Sequence, residues 1–218
     1  MIPIPKQHVT SRSHSINGLY AITPELENTT ELLDKTQQAL KGGARLVQYR
    51  SKSINRQTLK RQAIRLLQLC KHYQALLIIN DHLDLACDIN ADGVHLGRDD
   101  GTITAARQRL GNDKIIGASC YNELNLALRA AEEGADYVAF GALFPSITKL
   151  NTVPVSTDFI HHVRKHIAIP IVGIGGIQLQ NAKSVIQSGY DCVAVCHDLF
   201  AAGIDTQSQA MKFTQLFQ

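Results

Sequence analysis

Short apolar runs recur along this chain at intervals of roughly 20 to 30 residues, and the segments between them carry apolar residues three and four apart. Eight runs can be counted: Gly18 to Thr23, Arg45 to Tyr49, Ala75 to Asn80, Gly93 to Leu96, Lys114 to Ser119, Tyr137 to Gly141, Ile169 to Ile174 and Cys192 to Cys196. Helical spacing is clearest over Thr29 to Leu40, Arg56 to His72, Asn122 to Glu133 and Asn181 to Ser188. The phrases Gly43-Ala44-Arg45, Ala91-Asp92-Gly93 and Gly134-Ala135-Asp136, with Gly189-Tyr190-Asp191 as a variant, stand just before strands. A glycine there is expected to end a helix in a left-handed cap. Eight βα units in about 200 residues predict a single-domain (β/α)8 TIM barrel, an α/β fold, over 18–218. An open doubly wound sheet more often stops at five or six strands.

Composition supports one core and excludes several partners. Apolar residues make up 44% of the 218 and charged residues 19%, with a net charge of +3 and no lysine or arginine run. Neither a nucleic-acid nor a membrane surface is expected. No apolar stretch approaches the ~20 residues that cross a bilayer. Residues 1–17 are polar and lack the apolar centre of a secretory signal, which predicts a flexible tail. Five cysteines without a CxxC pair fit a reducing cytoplasm, each expected to be a small buried hydrophobe, with Cys120 singled out as the one to follow.

In a barrel of this kind the strand carboxyl ends face the active site. Those ends run into Gln48-Tyr49-Arg50-Ser51-Lys52, Asn80-Asp81, His95-Leu96-Gly97-Arg98-Asp99-Asp100, Ser119-Cys120, the stretch Gly141 to Lys149, Gly173-Ile174-Gly175-Gly176 and Cys196-His197-Asp198. Gly175-Gly176 after the seventh strand lets backbone N–H groups approach a phosphate, as the loops after strands seven and eight of such barrels often do; without that context a tight turn explains them equally well. Asp81 and Asp100 follow successive strands, close enough to share a Mg2+ ion with phosphate oxygens, although each taken singly fits a helix cap or a rim charge. Arg50, Lys52 and Lys149 turn the balance toward a metal-bound diphosphate, the alternative being that they simply pair with the carboxylates. His95 is expected to be a hydrogen-bonded structural histidine, and His161, His162 and His166 a solvated helix face.

Together, Gln48 to Lys52, Asn80-Asp81, Gly93-Val94-His95-Leu96-Gly97 with Asp100, Gly117-Ala118-Ser119, Phe144-Pro145-Ser146-Ile147-Thr148-Lys149 and Gly173 to Ile177 make the chain resemble the thiamine-phosphate synthase family from about Gly18 to its last helix. The resemblance implies a transferase joining hydroxymethylpyrimidine diphosphate to hydroxyethylthiazole phosphate, with these small molecules as partners and homo-oligomerisation left open. It gives Gln48, Tyr49, Arg50, Ser51, Lys52, Asn80, Ser119 and Lys149 to the pyrimidine substrate, with Arg50, Lys52, Lys149 and Ser119 catalytic. Asp81 and Asp100 go to magnesium, and Ser146, Thr148, Gly176, Cys196 and His197 to the thiazole phosphate. Two features depart from the family pattern: Arg98 stands where glutamine is usual, and His197-Asp198 replaces a serine-glycine pair, bringing a carboxylate toward the phosphate. The rival readings are a thiazole tautomerase, which needs no diphosphate clamp, and a silent thiamine-phosphate-binding barrel.

Overall fold

The computed structural model describes residues 16–52, 54–145 and 157–218. Its parallel strands are β1 (Gly18–Ile22), β2 (Leu46–Tyr49), β3 (Leu76–Asn80), β4 (Gly93–Leu96), β5 (Ile115–Tyr121), β6 (Tyr137–Phe140), β7 (Ile171–Ile174) and β8 (Cys192–Val195). β1 pairs with both β2 and β8, so the sheet closes on itself as the (β/α)8 barrel expected from the repeat. The helices between and after them are α1 (Thr29–Lys41), α2 (Arg56–His72), α3 (Leu83–Ile89), α4 (Ile103–Leu110), α5 (Leu124–Glu132), α6 (Thr157–Arg164), α7 (Leu179–Gln187), α8 (His197–Phe200) and α9 (Thr206–Gln215). None of the described helices is long and apolar enough to cross a membrane.

Local chemistry sets the helix ends. The Asn28 side chain accepts from the backbone N–H groups of Thr30 and Glu31 at the start of α1, and Asn55 and Thr102 serve α2 and α4 in the same way. Left-handed glycines follow α1, α5 and α7 at Gly43, Gly134 and Gly189. The Ala91-Asp92-Gly93 phrase behaves differently from that expectation. There the left-handed residue is Asn90, with φ 53°, and Gly93 already belongs to β4.

The aspartates in those phrases have a shared task at the amino-terminal end of the barrel. Asp92, Asp136 and Asp191 each precede a strand, and their carboxylates accept from the backbone N–H of Leu77, Ile116 and Ile171 on the preceding strand. Two of them also hold an arginine from the helix layer: Arg107 of α4 donates to Asp136, and Arg164 of α6 to Asp191. The sequence repeat is therefore a repeated strand-to-strand clasp.

Alternation along each closed strand separates a lumen from an outer core. Tyr20, Leu46, Ile78, Tyr137 and Val172 fill the lumen, and Ile16, within the stretch expected to be a tail, is buried with them at 1% exposure. Residues 1–15 lie outside the described residues. The outward-facing partners Val47, Leu77, Val94, Val138 and Val193 pack under the helices. Gly117 on β5 sits where a Cβ would overlap the Tyr137 ring, so the lumen accepts that tyrosine only because position 117 has no side chain.

The clasp separates buried from exposed charge. Asp136 is 3% exposed and bonds both Arg107 and the Ile116 N–H, so Asp136→Asn should cost about 3 kcal/mol. Asp88→Asn, which removes the exposed pair with Lys60, should cost less than about 0.5 kcal/mol. Urea unfolding of the two variants measures the difference.

Candidate active site

At the carboxyl end of the barrel the second loop is shaped by groups from the first. Thr23 Oγ1 accepts from the Arg50 backbone N–H at 3.1 Å, and Glu25 Oε1 accepts from the Lys52 N–H at 2.7 Å and from the Ser51 hydroxyl at 3.4 Å. Arg50 and Lys52 are exposed at this rim, and the Lys52 ammonium lies 3.9 Å from Asp81 Oδ2. Burial moves the Cys196 thiol upward, and the charge of Arg50, on the far side of β1, pulls it the other way.

Asp81 and Asp100 meet. Burial first, and then a hydrogen bond and charge repulsion from Asp100, push the Asp81 carboxyl up, while Lys52 and His82 pull it down. Asp81 adopts φ 63°, a conformation side chains seldom take, with its N–H on the His95 carbonyl. Asp100 is held in turn by the Gly97 N–H at 2.8 Å. Two carboxyl groups that repel each other in a half-buried position fit a hard divalent cation, which takes one or two carboxylates and completes its shell with phosphate and water. Among the described residues no cluster of three or more histidine, cysteine or acidic side chains offers a fuller protein cage.

Below the rim runs a polar chain. Gln48 Nε2 donates to Tyr20 Oη at 3.0 Å, the Tyr20 and Tyr137 hydroxyls are 2.9 Å apart, and His95 bridges Tyr137 Oη at Nδ1 and Ser119 Oγ at Nε2, each at 2.9 Å. His95 is thus the hydrogen-bonded histidine expected from its strand position. Burial pushes its imidazole down to about 4, with the Asp100 charge pulling weakly the other way. Asn80 is buried on β3, level with His95.

Several expected site residues turn elsewhere. Tyr49, expected at the substrate, points outward to the helix layer and donates to Gln62 Oε1 at 2.6 Å; with inward Gln48 beside it, strand alternation allows nothing else. Ser51 is buried and directed to Glu25. Cys120 also faces the outer core, where burial moves its thiol up to about 12. Arg98 does not reach the two aspartates: it bonds Glu123 at 2.6 Å and lies 4.9 Å over the Tyr121 ring. Asp198 directs its carboxylate to the Leu179 N–H at the start of α7 and to Gln209 of α9, both at 2.9 Å.

Gly176 has φ 63° and packs so closely on the sixth loop that a Cβ would come within 2.7 Å of Phe144 and of the Pro145 carbonyl. Cys196 and His197 begin the short α8 turn at the end of the neighbouring strand β8. Ser146, Thr148 and Lys149 lie outside the described residues. Glu25, Thr23, Tyr20 and Tyr137 escaped the sequence reading. The two tyrosines carry the one available signal, a polar-tipped ring at an inward position of an apolar strand, and Glu25 carries none.

A family model for thiamine monophosphate synthase matches residues 19–199. The thiamine-phosphate synthase of Nitrosospira multiformis is 54% identical over 203 residues, covering 93% of this chain and 86% of that protein. The thiamine-phosphate synthase of Methylobacillus flagellatus is 50% identical over 202 residues, 93% and 96% of the two chains. The thiamine phosphate pyrophosphorylase structure from Pyrococcus furiosus superposes with a TM-score of 0.82 at 31% identity, covering 95% of this chain and 98% of that one.

The buried imidazole makes stability depend on pH. Between its ordinary value of 6.5 and about 4, the unfolded chain binds a proton that the native state refuses. His95 therefore contributes fully above pH about 6.5, and that contribution is lost as pH falls toward 4. Asp81, moved upward, acts with the opposite sign in acid. In metal-free protein, lowering the pH from 7 to 4.5 should cost wild type about 2 to 3 kcal/mol more than it costs His95→Gln, measured by urea unfolding.

Proposed function

The chain belongs to the thiamine monophosphate synthase family and is a transferase of thiamine biosynthesis that forms thiamine phosphate by condensation, and we propose which of its groups do this work. The substrates are hydroxymethylpyrimidine diphosphate and hydroxyethylthiazole phosphate. The observation that carries the assignment is the approach of Asp81 to Asp100 with the Lys52 ammonium 3.9 Å from Asp81. A metal ion is part of this family's chemistry, and Mg2+ held by Asp81 and Asp100 is the reading their oxygen-only donor set supports. When bound it supplies charge neutralisation to the leaving diphosphate.

The chain's own residues do the rest. The pyrimidine methylene–oxygen bond breaks, its electron pair leaves with the diphosphate, and the thiazole nitrogen lone pair closes the new carbon–nitrogen bond. No net proton transfer is required. Arg50 and Lys52, with Lys149 assigned from sequence, offset the charge that grows on the departing oxygens, an effect strengthened wherever the rim excludes water. Gln48, Asn80 and Ser119 orient the pyrimidine. The Gly176, Cys196 and His197 backbones, with Ser146 and Thr148 assigned from sequence, hold the thiazole phosphate close enough to capture the pyrimidine methyl cation that diphosphate departure leaves, before water does.

Asp198 bears on the silent-barrel alternative. Its carboxylate keeps its charge but is tied to the Leu179 N–H and to Gln209, whose dipoles offset part of the repulsion it would exert on a phosphate. The tautomerase alternative leaves the clustered cations and paired carboxylates without a task.

The purified protein with Mg2+ and both substrates should release diphosphate and thiamine phosphate in equal amounts, and chelation by EDTA should stop turnover. Asp81→Ala should lower kcat by about 100- to 1,000-fold with an unchanged circular dichroism spectrum; near-normal turnover in that variant would remove the metal assignment. Asp198→Gly should lose about 1 kcal/mol of stability, for the hydrogen bonds to the Leu179 N–H and Gln209 that it removes, while KM for the thiazole phosphate stays unchanged. A marked fall in that KM would show that the carboxylate does oppose phosphate.

A further inference from the structure

The polar chain dips into the lumen from two separate points of the rim. Tyr20 stands level with Leu46, two residues below Gln48 on β2, and Tyr137 stands level with Gly117, two residues below Ser119 on β5. The links Gln48–Tyr20, Tyr20–Tyr137, Tyr137–His95 and His95–Ser119 measure 3.0, 2.9, 2.9 and 2.9 Å. Tyr20 and Tyr137 are 1% and 0% exposed, and His95 5%. Water is therefore unavailable to satisfy any proton the chain leaves over. Among the described residues the one buried side-chain polar atom without a partner is the Tyr190 hydroxyl, which lies outside this chain.

With the Gln48 amide nitrogen on Tyr20, counting protons fixes the direction. Each phenol has one proton to give. The Tyr20 oxygen receives the Gln48 N–H, and its own proton has Tyr137 Oη as its neighbour. Were Tyr137 to donate to Tyr20 instead, the Tyr20 proton would be stranded in a sealed interior, which is unfavourable enough to exclude that arrangement. Tyr20 therefore donates to Tyr137, and the Tyr137 proton goes to His95 Nδ1. Both ring nitrogens of His95 meet hydroxyls rather than carboxylates, so the imidazole is neutral and carries its proton on Nε2. Nε2–H donates to Ser119 Oγ, and the serine proton is turned away from His95 toward the mouth. At the other end, the Gln48 amide has one of its two N–H groups on Tyr20, and its carbonyl oxygen is left to accept.

We propose that Tyr20, Tyr137 and His95 are positioning residues whose one-way hydrogen-bond chain sets Gln48 as an acceptor and Ser119 as a donor toward the pyrimidine substrate. This rests on the assignment of Gln48 and Ser119 to that substrate under Proposed function. An aminopyrimidine offers the complementary pair, an amino group that donates beside ring nitrogens that accept. The chain moves no proton during the reaction. It removes the choice of rotor and amide orientation that Ser119 and Gln48 would otherwise have, so the cost of ordering them is met on folding rather than on binding. Its reach across the lumen also means that the two roles cannot be changed independently, because reversing either end reverses every link.

The test is the tautomer of His95 in the full chain labelled with 15N-histidine, its resonance identified by loss in His95→Gln. Wild type should show Nε2–H with an unprotonated Nδ1; an Nδ1–H tautomer or an imidazolium at pH 7.5 would overturn the chain. Gln48→Glu replaces the first donor with an acceptor, so every link should reverse and His95 should move to Nδ1–H. Adding Tyr20→Phe to that variant should cut the connection and restore Nε2–H. A folded Gln48→Glu protein with wild-type tautomer would overturn the coupling. Tyr20→Phe alone, remote from bound substrate, should raise KM for the pyrimidine diphosphate about tenfold and leave KM for the thiazole phosphate unchanged. Equal changes in both would overturn the positioning role. If the tautomers behave as expected while Gln48→Ala and Ser119→Ala leave the pyrimidine KM unchanged, the substrate assignment fails and takes the positioning role with it. If those two KM values rise while the tautomers do not follow, the chain alone is wrong.

Discussion

The ladder between β1 and β8 closes the sheet, and closure removes any freedom a side chain has to choose its face. In an open sheet both faces lie under helices, and neighbouring residues meet similar surroundings. In the closed barrel one face becomes a narrow lumen and the other an outer core. That is why Gln48 and Tyr49, adjacent in a motif that reads as one substrate-binding stretch, have opposite fates. Gln48 enters the lumen and bonds Tyr20, while Tyr49 anchors α2 through Gln62, which also holds the carbonyls of Leu26 and Glu27.

The lumen is sealed, so each polar atom placed there needs a protein partner. Two tyrosines and a histidine meet this condition only as a connected set, and fitting the Tyr137 ring requires Gly117 opposite it. The short Gly117-Ala118-Ser119 motif thereby combines two functions. Its glycine admits the ring that continues the chain, and its serine ends the chain at the mouth.

At the opposite end of the barrel, charge works in a different environment. Asp136, with the Arg107 guanidinium and the Ile116 N–H, forms a buried structural clasp. At the mouth burial and the neighbouring Asp100 push the Asp81 carboxyl up, and the Lys52 ammonium stands 3.9 Å from it. The same residue type stabilises one end of the fold and stores unfavourable repulsion at the other, where a cation and an anionic substrate can relieve it. Arg98 and Asp198, charges that look disruptive in the linear motif, are withdrawn into contacts with Glu123 and with the start of α7.

The amino-acid sequence by itself determined the eight-fold repeat, the strands, the longer helices and the rim on which the acidic and basic residues collect. These follow from periodicity and turn chemistry, which act over a few residues, and they located Asp81, Asp100, Lys52, Gln48 and Ser119 at strand ends. The role of the Gly-Ala-Asp phrases could not be read there, because a carboxylate that clasps the N–H of a strand 15 or 20 residues earlier looks like ordinary turn chemistry. Nor could Glu25, since its partners at Ser51 and Lys52 are brought to it by the pairing of β1 with β2. Only the tertiary structure decided that Tyr49 faces outward, that Asp198 is held at the start of α7, and that Tyr20, Tyr137 and His95 join two distant motifs. The physical reason is closure: hydrogen-bond partners across a barrel are set by strand register and by the absence of water in the lumen, and neither is a property of any local stretch of chain.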